Sequence, residues 1–205
     1  KFNVKKQLNS FLTPIYFIGI VYTSIYFFYL DLLNKYLIVF LASLSVFYKN
    51  PYILNRSLRK NPITKILTIS ISWAMLTCIF LNPNLLKISK FEIFHFFERL
   101  FFLISVCLVF EINDYDEDCS FQMSFPNKYG ITITRIAAIF FIYVTLIFLF
   151  QRFKDFSIYV ISILTVLLLT LISILTVKPK SHFYFTRLWT EAIPIVAFII
   201  LKINL

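Results

Sequence analysis

Phe156-Ser-Ile-Tyr-Val-Ile-Ser-Ile-Leu-Thr-Val-Leu-Leu-Leu-Thr-Leu-Ile-Ser-Ile-Leu-Thr-Val177 is 22 residues long and carries no charged side chain. As a helix at ~1.5 Å per residue it covers a hydrocarbon core ~30 Å thick. As anything else in lipid it would leave backbone groups unpaired, and it lacks the alternation of a barrel strand. Six more apolar segments lie around it: Phe11–Leu30, Tyr36–Tyr48, Ile66–Leu81, Ile93–Ile112, Ile131–Phe150 and Phe183–Leu201. Two of these are short at 13 and 16 residues. The first of the two is expected to run past Lys49–Asn50 until Pro51 bends it. The second is expected to borrow a turn at either end.

Composition agrees. Of the 205 residues 60% are hydrophobic and 15% charged, against ~25% charged in a soluble domain. That is too little charge to clothe a water-facing surface. A soluble enzyme, a disordered tail and a disulfide scaffold are therefore excluded. The expected fold is all-α: a polytopic transmembrane helical bundle of about seven spans, forming one domain over 1–205, with the lipid bilayer as its partner. The net charge of +10 reads as membrane-flanking lysine and arginine rather than as a nucleic-acid surface. With the N-terminus inside, thirteen Lys and Arg flank the inner face and six the outer. The N-terminus and the acidic loop then face the cytoplasm of an inner or plasma membrane. Lys1, Lys5 and Lys6 precede an apolar run longer than a leader's ~7–15 residues and without a small-x-small cleavage site, so a retained first span is expected.

Familiar chemical motifs are scarce. Cys78, Cys107 and Cys119 form no metal or redox spacing, and Gly19 and Gly130 are too few for a phosphate-cradling loop. One cluster stands out. Five of the ten acidic residues are Glu111, Asp114, Asp116, Glu117 and Asp118. If the fourth helix continues through them, Glu111, Asp114 and Asp118 share a face. Such oxygens suit Mg²⁺, which takes a few carboxylates together with phosphate oxygens. The loop with Arg56, Arg59 and Lys60 supplies cations for the remaining phosphate charge. The competing reading is an ordinary solvated loop. A calcium loop fails: its glycine is missing and Phe125 occupies the position of the closing glutamate.

Glu111-Ile-Asn-Asp114-Tyr-Asp-Glu-Asp118, followed by Ser124-Phe-Pro126-Asn-Lys-Tyr-Gly130, resembles the second aspartate-rich motif of the UbiA superfamily of intramembrane prenyltransferases. That motif reads D-x-x-D-x-x-x-D and is followed by a T-[LI]-P-x-x-x-G-like turn. Arg99 with the apolar run into Glu111, and more weakly Leu188-Trp-Thr-Glu191-Ala, are also similar. The resemblance implies transmembrane helices around a lipid-filled cavity, with Mg²⁺ and a prenyl diphosphate held at the cytoplasmic side. It implies prenyl transfer to an aromatic or other lipid-soluble acceptor, with Glu111, Asp114 and Asp118 as metal ligands. Asn50, Arg56, Arg59 and Lys128 are the candidates for the diphosphate. The chain departs from the family at the first motif, N-D-x-x-D-x-x-x-D. Here Asn50-Pro-Tyr-Ile-Leu-Asn55-Arg56-Ser-Leu-Arg59 carries no carboxylate. Seven spans also stand where nine are usual. The alternative is accordingly a non-catalytic UbiA-like subunit of a larger membrane complex, with membrane-protein partners. A transporter finds no internal repeat to support it.

His95, Glu98 and Arg99 sit inside the fourth segment. They are either functional charges at depth or a local set, with His95 facing Glu98 and Arg99 reaching outward. Glu191 either lines a cavity or pairs with Arg187. Trp189 is an interface anchor or a packing residue, and Trp73 is expected to pack.

Overall fold

The computed structural model describes residues 17–49, 58–79, 89–115, 124–153 and 157–179, with Ala192, Ile193, Ile195, Val196, Ile199 and Lys202 beyond them; every described regular element is helical. In chain order these are α1 (Phe17–Tyr29) and α2 (Leu32–Lys49), a 3₁₀ turn (Leu58–Lys60), and α3 (Pro62–Ala74), which runs on as a π-helical turn (Met75–Ile79). Then come α4 (Lys90–Asn113), α5 (Phe125–Tyr129), α6 (Ile131–Arg152) and α7 (Ile158–Thr176). The helices α4, α6 and α7, at 24, 22 and 19 residues, are long and apolar enough to cross a membrane, whereas α1, α2 and α3 are apolar but shorter. The short third segment gains its extra turn at the front, where α3 begins at Pro62 rather than Ile66. The bend at Pro51 and most of the seventh segment lie outside the described residues.

Local chemistry fixes where these helices start. Asn61 caps α3, its side chain accepting from the Ile63 amide at 3.1 Å with Pro62 just inside. Ser89 and Glu92 form a reciprocal capping box on α4: the Glu92 amide donates to Ser89 Oγ at 3.4 Å and the Ser89 amide to Glu92 Oε2 at 2.7 Å. Ser124 and Ser157 cap α5 and α7 with their hydroxyls alone, which accept from the Asn127 and Val160 amides at 3.3 and 3.4 Å. Gly130 joins α5 to α6 at φ 87° and ψ 154°, a region that is essentially closed to residues with a Cβ.

The chain divides into two compact units, Lys1–Ala42 and Ser43–Leu205. Within the second, α4 is central and packs on α3, α5, α6 and α7. Its pairing with α6 is the most extensive. At mid-length Ser105 Oγ donates to the Ala138 carbonyl at 3.0 Å, with both residues at 0% exposure. Two small side chains permit that approach of backbones. Toward the Lys90 end the seam becomes aromatic: Phe97 and Phe101 stack on Phe148 at 5.5 and 5.6 Å, and Phe101 on Phe141 at 5.9 Å.

The outward faces are as apolar as the inward ones. On α6, Ile133, Ile136, Phe140, Tyr143, Ile147 and Phe150 recur at helical spacing and are all exposed, an arrangement suited to hydrocarbon rather than water. Trp73, expected to pack, is 56% exposed; it lies on an outward face, where lipid would be its neighbour. Other buried hydroxyls are satisfied by carbonyls one turn back along their own chain. Thr134 donates to Gly130 O, Thr145 to Phe141 O and Thr170 to Val166 O, each at 2.8 Å, and Ser173 to Leu169 O at 2.9 Å. Such back-bonding pairs these hydroxyls in an apolar surrounding.

Candidate functional site

The acidic cluster begins where α4 ends. Its last residue is Asn113, and Asp114 is the C-cap at φ −85°, ψ 7°. α4 carries Glu111 but ends at Asn113, and the backbone turns at Asp114 and Tyr115, so the helix expected to align Glu111 with Asp114 does not continue through Asp114. Asp118 lies outside the described residues, as do Asp116, Glu117 and Cys119.

Glu111 is 6% exposed and both of its oxygens are engaged. Lys65 Nζ on α3 lies 2.6 Å from Oε1, and the Phe125 amide of α5 donates to Oε2 at 3.1 Å. One carboxylate therefore joins three elements. It also brings Ser124-Phe-Pro126 back against the end of α4, and Asn127 Nδ2 adds a bond to Tyr115 O at 3.4 Å. The acidic stretch and the Pro/Gly turn, separate in sequence, meet here. Tyr48, half-buried, lies within electrostatic range of Lys65, Arg59, Glu111 and Cys107.

Asn113 Nδ2 donates to Asp114 Oδ1 at 3.0 Å, while the buried Asn113 Oδ1 has no partner among the described residues. An orphaned carbonyl oxygen beside a carboxylate is a donor set that suits a hard cation. Glu111 fits such an ion only if Lys65 withdraws. Among the described residues no group of three His, Cys, Asp or Glu gathers.

The diphosphate candidates divide. Arg59 is exposed on the 3₁₀ turn ahead of α3. Lys128 is exposed on α5, its Nζ 5.1 Å from the Tyr129 ring centre. Asn50 and Arg56 lie outside the described residues. Two residues carry more than the sequence reading gave them. Lys65, by sequence one more flanking cation, stands four residues beyond the Asn61 cap and so in the first turns of α3. Arg135, counted only as flanking charge, donates from Nη2 to the Val177 carbonyl at 2.5 Å, at the C-terminus of α7, where a cation complements the helix dipole.

At the other end of α4 the expected local set is replaced. Glu98 does not face His95; it pairs with Arg152 of α6, Nη1 to Oε2 at 2.9 Å, with side chains 3% and 6% exposed. Side chains lean toward their own helix N-terminus, so on antiparallel helices these two long ones reach toward each other. His95 Nε2 instead accepts from Arg99 Nε at 3.4 Å. Glu191, Arg187 and Trp189 lie outside the described residues. Comparison with protein-family models, curated proteins and solved structures gives no match.

Proposed function

We propose that the chain is a UbiA-type, prenyltransferase-like integral membrane protein. In this reading its seven apolar segments form the bundle, and the N-terminus and acidic loop face the cytoplasm. The observation that carries the proposal is the closure of Ser124-Phe-Pro126 onto Glu111, which joins the acidic motif to its Pro/Gly turn at one end of three long apolar helices. Asp114, Asn113 and Asp118 would hold Mg²⁺, with Glu111 joining after Lys65 leaves it. Bound there, the ion would neutralise the diphosphate as a leaving group, which is the chemistry that releases an allylic prenyl cation. Arg59, Lys128, Asn50 and Arg56 would bind the remaining phosphate oxygens, and the apolar helices would hold the prenyl chain and a lipid-soluble acceptor away from water.

Binding of geranyl, farnesyl and geranylgeranyl diphosphate to the purified chain, with and without Mg²⁺, tests this. The reading expects binding that needs Mg²⁺ and is lost in Asp114→Asn and in Asp118→Asn. Binding that persists without the metal, or in both variants, defeats it. The Lys65–Glu111 pair favours a second reading, a non-catalytic subunit that keeps the fold, since it satisfies Glu111 without any ion. That reading expects a fixed partner on purification from native membranes and no diphosphate binding.

A further inference from the structure

The Arg152 end of the bundle holds a second polar cluster that the proposed chemistry does not use. Its members are His95, Glu98 and Arg99 on α4, Arg152 on α6, and Cys78 in the π-helical turn after α3, whose Sγ donates to His95 O at 3.7 Å. Single π turns in otherwise α-helical runs concentrate at functional positions. The charges do not cancel. Glu98 is taken by Arg152 at 2.9 Å. Among the described residues no carboxylate lies within ion-pairing distance of Arg99, which spends its Nε on His95 Nε2. Arg99 is half-buried, nine residues into α4 and so ~14 Å along it. Arg152 is under-used as well. It meets Glu98 through one nitrogen, its buried Nε has no acceptor among the described residues, and the rings of Phe91, Phe153 and Tyr159 stand 4.3, 4.7 and 5.3 Å from its guanidinium carbon. Aromatic faces hold a guanidinium in place without consuming its N–H donors.

Two guanidinium groups, one carboxylate and a buried donor without an acceptor among the described residues call for an anion with more than one oxygen. We propose that this cluster binds an oxyanion, the phosphate group of an acidic lipid or of a free phosphate, through Arg99 and the unused donor of Arg152.

The test uses the purified full chain in dodecyl maltoside without divalent ions, so that it is independent of the Mg²⁺-diphosphate reading. Thermal unfolding midpoints are followed on titration with dioleoyl phosphatidate, dioleoyl phosphatidylcholine or inorganic phosphate, with ionic strength held constant by NaCl. The expected result is a saturable rise with phosphatidate and none with phosphatidylcholine. Each variant is referred to its own unliganded midpoint. Arg99→Gln should weaken apparent affinity by about tenfold or more, while Lys178→Gln, at the opposite end of the bundle, should leave it unchanged. A saturable rise with inorganic phosphate as well identifies the free anion as sufficient; a rise with phosphatidate alone identifies the lipid headgroup. An equal response in Arg99→Gln overturns the proposal. So does the absence of any saturable rise, which would leave Arg99 as a side chain reaching for the interface only.

Discussion

At one end of α4 a carboxylate meets an arginine beneath three aromatic rings; at the other a carboxylate meets a lysine and a backbone amide. Glu98 with Arg152 and Glu111 with Lys65 are formally the same pair, yet they constrain the fold differently. Arg152 is a planar fork fixed by the surfaces that cover it, and it locks α6 to α4. Lys65 is a compact point charge on a flexible stem, 15% exposed, and under the proposed function it is the cation that a divalent ion would replace. Glu111 also holds the α5 turn through Phe125, so a change of cation there reaches a loop. One pair fastens two long helices; the other ties the end of a helix to a turn.

The largest expected effect is at the fastened pair. Arg152→Leu leaves Glu98 buried without a cation and should lower unfolding stability in micelles by about 3–5 kcal/mol, with much of the loss recovered in the double variant with Glu98→Gln. A single variant that unfolds like the parent would mean that Glu98 finds another partner. Lys65→Met should cost less, about 1–3 kcal/mol, because the Phe125 amide still serves Glu111. If the two losses were equal, the distinction between the ends would fail. Gly130→Ala tests the joint next to the Glu111 end. No neighbouring atom lies within 4 Å of the added Cβ, so the expected cost of about 1–3 kcal/mol is purely conformational. Ser89→Ala removes the capping box at the start of α4 and should cost about 1 kcal/mol in the same measurement. Smallest is Ser105→Ala at mid-seam, about 0.6 kcal/mol, since a hydrogen bond between helices in an apolar surrounding is worth little net.

The long helices were legible because hydrocarbon imposes a length and forbids charge, and α4, α6 and α7 follow the apolar runs to within a few residues. The starts of α3, α4 and α7 are written too, in Asn61-Pro62, in Ser89 with Glu92, and in Ser157. Pairing across helices was not. Glu98 and Arg152 are 54 positions apart, and only the antiparallel register of α4 and α6 brings them together. A rule that each carboxylate at depth needs a cation would have prompted the search, and Arg152 at the end of α6 was the candidate. At the acidic stretch the spacing suits a continuing helix, whereas α4 ends at Asn113 with Asp114 as its cap. Residue order located that cluster but could not supply the turn that decides which oxygens face one another.

α7 presents its buried Thr170 and Ser173 hydroxyls to its own carbonyls and meets α6 through apolar side chains, with Arg135 gripping its last turn. It is therefore complete as an inserted rod before it has any neighbour. In a bilayer, which its length and apolar composition suit, its entry and its docking would be separable events.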